Sequence, residues 1–266
     1  MRRHQVVVFA AAAAALLVTG CAQAAGDRAQ PVLRHESAGA AGSWSRAITV
    51  PGLGALNTGR NANVWSVSCP APGQCAAVGY YSDGGHHQQG FVAVERNGRW
   101  GQAVDAPGLG ALNNRGNAEV RSVSCASPGY CAAGGYYGNH SSNPYAVTSG
   151  RGFVVSERNG RWHRAVEVPG LRALNTGGKA EVSSVSCASA GNCAAGGGYD
   201  GGGSGAWVVR EKNGVWAKRT AVPGLGALNK GSVLGVSAVS CASAGSCVAG
   251  GYYQETGRFA LQGFVT

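Results

Sequence analysis

The sequence predicts an all-β protein, a four-bladed β-propeller closed by pairing its N-terminal strand with its C-terminal blade. Three observations predict it. First, Pro-Gly-Leu triplets beginning at Pro51, Pro107, Pro169 and Pro223 alternate with Cys-x5-Cys pairs, and each proline precedes its first cysteine by 18 positions. Second, each unit offers four extended segments; in the second these are Val120 to Cys125, Cys131 to Tyr137, Phe153 to Glu157 and Trp162 to Val166. Val120, Ser122 and Ser124 alternate with Arg121, Val123 and Cys125, the period of a strand, and no helical stripe competes. Third, the ends complement each other. A lone fourth segment, Trp44 to Val50, follows the N-terminal region, while the last unit stops after its third, Phe259 to Val265. Pairing the two would close the ring and leave no open sheet edge. An open array, or a half-ring that dimerises into eight blades, is the alternative.

The segment order follows from turn chemistry. Asn97-Gly98, Asn159-Gly160 and Asn213-Gly214 sit between apolar runs and predict two-residue hairpins between the third and fourth segments. Trp44, Trp100, Trp162 and Trp216 each stand seven positions before the next proline and read as core. Only the cysteine-to-tryptophan stretch varies, at 31, 37 and 29 positions, which marks it as the place of surface loops. Paired glycines such as Gly134-Gly135 and Gly196-Gly197 fit strands crowded near an axis, or bulges.

Ahead of the repeats, residues 1–20 read as an export signal: Arg2 and Arg3, then an apolar run from Val6 to Thr19. Leu17-Val18-Thr19-Gly20-Cys21 resembles the bacterial lipobox, which implies lipidation of Cys21; ordinary cleavage after Ala24 is the alternative. Residues 21–42 then form a flexible tether, and 43–266 the propeller domain. Either route puts the domain outside the cytoplasm, lipid-anchored to the cell membrane or secreted.

Nine cysteines divide into Cys21 and four pairs, Cys69/Cys75, Cys125/Cys131, Cys187/Cys193 and Cys241/Cys247. Outside a reducing compartment, with turn formers between partners, the pairs predict four local disulfides rather than zinc ligands. Each would contribute about 2 kcal/mol by restricting the unfolded chain.

The formal charge of +10 falls to +8 once Arg2 and Arg3 are removed, and the remaining basic residues are scattered. That argues against a nucleic-acid site and for weak attraction to anionic wall polymers.

From Trp44 to Thr266 the units resemble secreted bacterial β-propeller-like repeat proteins whose repeats read Ser-Val-Ser-Cys, Cys-Ala-Ala-Gly, Phe-Val-Val, Asn-Gly-x-Trp. The resemblance implies the repeat type and carries no activity with it. The hairpin is similar to the Asp-box of sialidase propellers only in its glycine and tryptophan, with different spacing and no aspartate.

One rim of such a propeller carries only disulfide turns and Asn-Gly hairpins; the other carries the Pro-Gly-Leu loops and every length change. The variable rim is therefore the expected binding face. Its candidates are Asp83, His86, His87 and Gln88 in the first unit, Asn139, His140, Tyr145 and Arg151 in the second, Asp200 in the third, and Glu255 and Arg258 in the last. Amides, tyrosines and histidines around a concave rim suit a glycan or cell-wall polymer; ordinary solvated loops are the alternative. His86 and His87 with Asp83 or His140 are the only metal candidates, and no metal or cofactor is expected. The doublets Tyr80/Tyr81, Tyr136/Tyr137 and Tyr252/Tyr253 are assigned to packing between blades, and Glu95, Glu157 and Glu211 to ion pairs with Arg99, Arg161 or Lys212.

Catalysis needs a constellation that breaks the fourfold symmetry, and only Asp83, Asp200 and Glu255 could supply a carboxylate pair. The expected function is a monomeric, non-catalytic binding or scaffolding module. A glycosidase or polysaccharide lyase on a propeller scaffold is the alternative.

Overall fold

The computed structural model describes residues 44–114, 116–140, 147–229, 231, 233–255 and 260–266, with the backbone alone at 139–140 and 147–148. The segments expected to be signal and tether, with Cys21, and the candidates Tyr145 and Arg258 lie outside the described residues. The chain divides into two units, Met1–Ala47 and Ile48–Thr266. No helix among the described residues is long and apolar enough to cross a membrane.

The second unit is all-β, four antiparallel sheets in chain order. The first follows a one-turn helix α1 (Leu53–Leu56) and holds β1 (Ala62–Ala71), β2 (Gln74–Ser82), β3 (Gln88–Arg96), β4 (Arg99–Trp100) and β5 (Val104–Asp105). The second follows α2 (Leu109–Asn113) and holds β6 (Asn117–Ser127), β7 (Tyr130–His140), β8 (Val147–Arg158), β9 (Arg161–Trp162) and β10 (Val166–Glu167). The third holds β11 (Ala180–Ser189), β12 (Asn192–Tyr199), β13 (Gly205–Lys212), β14 (Val215–Trp216) and β15 (Thr220–Ala221). After α3 (Leu225–Leu228) the fourth has three strands, β16 (Leu234–Ser243), β17 (Ser246–Gln254) and β18 (Leu261–Val265).

The turns are those the sequence demands. Asn97, Asn159 and Asn213 have φ of 52°, 51° and 50°, each followed by a glycine at 74° to 80°, the two positive values of a type I′ hairpin. All four predicted disulfides form: Cys69–Cys75, Cys125–Cys131, Cys187–Cys193 and Cys241–Cys247, each closing the hairpin between the first two strands of its sheet. In the last three sheets the partners also stand opposite each other in the strand register. In the first sheet Cys69 and Cys75 fall inside the register shift between Ser68 and Ala71, so the covalent bond holds a place where the ladder is interrupted. Such a set of bridges belongs to an oxidising compartment. The expected fourth strand is two short strands instead, because the chain bends away between Trp162 and Val166 while His163 still donates to the Ser156 carbonyl, 2.9 Å.

The first strand of every sheet carries a β-bulge, at Trp65, Arg121, Ser183 and Ser237. The bulge breaks the predicted alternation, so that Val120 and Val123 are both buried. It also explains one glycine of each pair. A Cβ at Gly79, Gly135, Gly197 or Gly251 would collide with the carbonyl of Asn63, Glu119, Glu181 or Gly235 on the bulged strand. Opposite these glycines stand Phe91, Phe153, Trp207 and Phe264, whose rings cover the space a side chain would take.

Each sheet packs its first strand against the next sheet's, β1 on β6, β6 on β11 and β11 on β16. The core is therefore a series of layers between sheets. Val78, Val92, Val120 and Phe153 meet between the first and second; Val154, Val182 and Trp207 between the second and third; Ala206, Val236 and Ala249 between the third and fourth. A ladder of serines crosses the same boundaries. Ser66 and Ser68 accept from the Val123 and Cys125 amides (3.2 and 2.9 Å), Ser122 and Ser124 from Val185 and Cys187 (3.0 and 2.9 Å), and Ser184 and Ser186 from Val239 and Cys241 (2.9 and 3.0 Å). The repeated Ser-Val-Ser-Cys is thus an inter-sheet connector. Ser124→Ala is expected to cost about 1 kcal/mol, since it strands the Cys187 amide. A denaturation midpoint equal to the wild type's would remove the ladder from the stability account.

The glutamates pair differently from expectation. Glu157 takes Arg96 of the preceding sheet at 2.9 Å and Glu211 takes Arg158 of its preceding sheet at 3.5 Å, so the ion pairs join sheets instead of stapling one hairpin. Burial pushes both carboxyls above their usual range, and the facing arginines and, for Glu211, the Ser156 hydroxyl pull them back only in part. A raised folded-state value means that these groups contribute stability below the ordinary glutamate range, lost as pH rises through the raised value. Between pH 4 and pH 7, wild-type Tm should therefore fall relative to that of Glu211→Gln. A Tm difference independent of pH would contradict this.

The described residues show the four sheets and do not show the predicted closing strand pair. Residues 44–50 carry no strand, Trp44 is 99% and Ile48 66% exposed, and among the described residues β18 pairs with β17 alone. The first and fourth sheets share no packed interface like those between successive sheets. Three of the four repeated tryptophans are half-buried as core; Trp44 is not.

Candidate functional site

The variable rim turns out to be occupied with its own folding. Asp83 accepts from the amides of Gly85 and His87, both 2.9 Å, and lies 3.7 Å from the His87 ring, so it shapes the loop in which it sits. His86 is exposed at φ 61°, Gln88 is buried with its amide on Asn117 at 2.8 Å, and Glu255 is exposed at the end of β17. Asp200 accepts from the Lys179 amide at 2.5 Å. Asn139 and His140 end β7. The three carboxylates proposed as catalytic thus lie in different sheets, two of them bonded to local backbone. Among the described residues no three His, Cys, Asp or Glu side chains converge as metal ligands would. Cys75, Cys193 and Cys247 are tied to Cys69, Cys187 and Cys241, as Cys131 is to Cys125, so these eight sulfurs are structural and offer no thiolate to a substrate or metal.

Arg151 is the rim candidate that joins a cluster. With Arg172 it flanks Glu167, at 3.5 and 3.7 Å, and the Tyr137 hydroxyl donates to the same carboxylate at 2.9 Å, beside a recess of about 460 Å³ between the second and third sheets. Burial and Glu167 push the Tyr137 phenol up to about 12, so it stays protonated at neutral pH and is no nucleophile. The first sheet has a simpler version, Tyr81 donating to Asp105 at 2.5 Å.

The densest arrangement of polar and aromatic groups lies elsewhere, along the bulged first strands. Glu119, 4% exposed, accepts from the Trp65 indole N–H at 2.9 Å and the Tyr136 hydroxyl at 2.8 Å, and forms an ion pair with Arg121, whose Nε lies 2.9 Å away. The Arg121 guanidinium sits 4.6 Å from the Trp65 ring centre and 5.4 Å from that of Tyr136, a cation–π sandwich. Tyr80 lies 6.0 Å from Trp65 and donates to Asn61 at 3.2 Å. Burial works to lower the Arg121 pKa, but Glu119, Tyr136 and Glu181 together more than offset it and the net shift is upward; burial and the Glu119 carboxylate raise that of Tyr136. The result is a fixed platform whose Trp65 remains 43% exposed.

The platform continues along the row. Glu181, which also acts on Arg121, and Ser183 lead into a recess of about 640 Å³ between the third and fourth sheets, lined further by Ser237 and Tyr252. Bulges re-aim side chains, and here the bulged position is where the copies disagree: Trp65, Arg121, Ser183, Ser237. Sequence reasoning sought variation in loop lengths and overlooked this strand position. Tryptophan and arginine standing where two other copies have serine was the available signal. Tyr137 packs between sheets as expected, Tyr81 packs within the first sheet's own cluster, and Tyr80 and Tyr136 belong to the platform.

No family model matches the chain, and no curated protein does. Eight solved chains are similar, among them the Hadza microbial sialidase Hz136, at 8% identity and a TM-score of 0.48 over 76% of this chain and 43% of that one. This chain therefore spans less than half of that sialidase's length.

Proposed function

We propose that the protein is a non-catalytic carbohydrate-binding module of the cell surface, its four sheets acting as propeller blades and its ligand a glycan or cell-wall polymer. One observation carries this reading: the half-exposed Trp65 ring, held rigid by Glu119 and Arg121 beside Tyr80. The faces of sugar rings present C–H groups that stack on such a surface, while Glu181 and the serines Ser183 and Ser237 offer hydroxyl partners along the same row. Because the platform is pre-organised, little side-chain entropy is lost on binding.

Binding is favoured over hydrolysis by the state of the acids. Glu119 already accepts three hydrogen bonds or ion pairs, and Glu167 holds a tyrosine and two arginines, so neither is a free acid or base. The test is an array of glycans and wall polysaccharides probed with the exported domain and with Trp65→Ala. Saturable binding lost in the variant is expected; no binding to any saccharide would sink the proposal. For the anchor, Cys21→Ser should release the protein from the membrane fraction, and a variant that stays membrane-bound would refute lipidation.

A further inference from the structure

We propose that the recess between the second and third sheets is a second binding site, separate from the Trp65 platform, which takes an oxyanion carried on a hydroxylated chain, the acidic group of an anionic wall polymer. Two arginines carry it, and both stand where the other copies have something else. Arg172 follows Pro169 by three positions, the place held by Gly54, Gly110 and Gly226 in the other units. Arg151 stands opposite Tyr137 in the strand register, where Gln89, Gly205 and Gln262 stand opposite Tyr81, Tyr199 and Tyr253. Two successive units thus bring both guanidiniums to one recess.

Folding does not account for them. The first sheet makes the underlying contact without an arginine: Tyr81 donates to Asp105 at 2.5 Å, as Tyr137 donates to Glu167 at 2.9 Å. Arg151 and Arg172 approach Glu167 at 3.5 and 3.7 Å with side chains 38% and 70% exposed, and exposed ion pairs of that length contribute little stability. Both approach the same oxygen, Oε2, so the two guanidiniums lie close enough to share one further anion. Arg172 does so through Nε, which leaves the fork of its terminal nitrogens for a carboxylate or a phosphate. Two positive charges against the one on Glu167 leave a positive surplus.

The surroundings supply the rest. The recess, about 460 Å³, is lined by both arginines, by Asn114, Ser149 and Thr176, and among the described residues by no acidic side chain. That is the size of a small-ligand site. Its walls are fixed by hydrogen bonds across the boundary. Asn175, buried, donates to the Gly150 and Gly178 carbonyls at 2.6 and 2.9 Å, and the Gly150 amide donates to the Gly178 carbonyl at 3.0 Å, tying β8 to the segment ahead of β11. An acidic group that accepts from the arginines, with neighbouring hydroxyls on Ser149 and Thr176, answers this lining. A neutral sugar leaves the charge surplus unanswered, and an amine is repelled by it. The Trp65 row has the reverse balance, with Glu119 and Glu181 acting on Arg121, so the two sites select different units.

The test titrates the whole chain, released by Cys21→Ser and carrying Trp65→Ala so that the platform contributes nothing, with polygalacturonate, poly(glycerol phosphate) and dextran. Saturable calorimetric binding of at least one acidic polymer, and none of dextran, is expected; polygalacturonate alone identifies a carboxylate and poly(glycerol phosphate) alone a phosphodiester. Arg172→Gly, which restores the residue of the other copies, and Arg151→Gln should each weaken that binding at least tenfold. Arg99→Gln, which removes the same charge from an exposed hairpin, should leave it unchanged. No binding of either acidic polymer, dextran bound as tightly, or equal losses in Arg99→Gln and Arg172→Gly overturns the proposal. Because the Trp65 ring is already removed, failure of the platform reading leaves this outcome untouched.

Discussion

Trp207→Ala is expected to lower the stability of the domain by about 3–5 kcal/mol, a large part of what a domain of this kind possesses. Trp207 is fully buried on β13, opposite Gly197, in the layer between the second and third sheets with Val154 and Val182. Removing the indole uncovers a glycine that cannot fill the gap, because any Cβ there meets the bulged strand's carbonyl at Glu181. Trp207→Phe should cost less than about 1.5 kcal/mol, since Phe91, Phe153 and Phe264 serve at the equivalent positions. The indole N–H has no partner in its buried site, so that change also removes an unsatisfied donor. Urea denaturation of both variants measures the difference, and equal losses would show that a phenyl ring does not fill the indole's place at this position.

Trp65→Ala is expected to weaken saccharide binding at least tenfold, about 1.4 kcal/mol, with little loss of stability. The ring is 43% exposed, so its removal leaves no sealed cavity. Glu119 keeps Arg121 and Tyr136 as partners, which spares it the cost of a bare buried carboxylate. The converse variant, Glu119→Ala, removes the carboxylate that orients Trp65 and Tyr136 by hydrogen bonds and Arg121 by an ion pair, and should reduce both binding and Tm. Separation of the two effects in Trp65→Ala is what distinguishes a ligand platform from a packing cluster.

The repeat made the strands, hairpins and disulfides readable because each rests on short-range chemistry: Asn-Gly needs two positive φ values, and Cys125 and Cys131 lie across one turn, as do Cys187 and Cys193. What spans sheets was not readable. Glu157 looks in sequence like a partner for Arg161, just across the hairpin turn, but it finds Arg96 sixty-one positions earlier because sheets pack face to face. The bulge was hidden because Val-Arg-Ser-Val-Ser alternates well enough on paper; only pairing with β7 shows the extra residue at Arg121. The site was missed for the same reason. Trp65 and Arg121 occupy a strand of constant length, and the polar loops that drew notice, such as the Asp83 turn, spend their hydrogen bonds on themselves.

Calorimetric titration with a saccharide selected on the array, compared among wild type, Trp65→Ala and His86→Ala, tests the central claim most directly. Saturable binding that falls at least tenfold in Trp65→Ala and is unchanged in the rim variant His86→Ala is the predicted result. Equal affinity in wild type and Trp65→Ala, or loss of binding in His86→Ala alone, would contradict it.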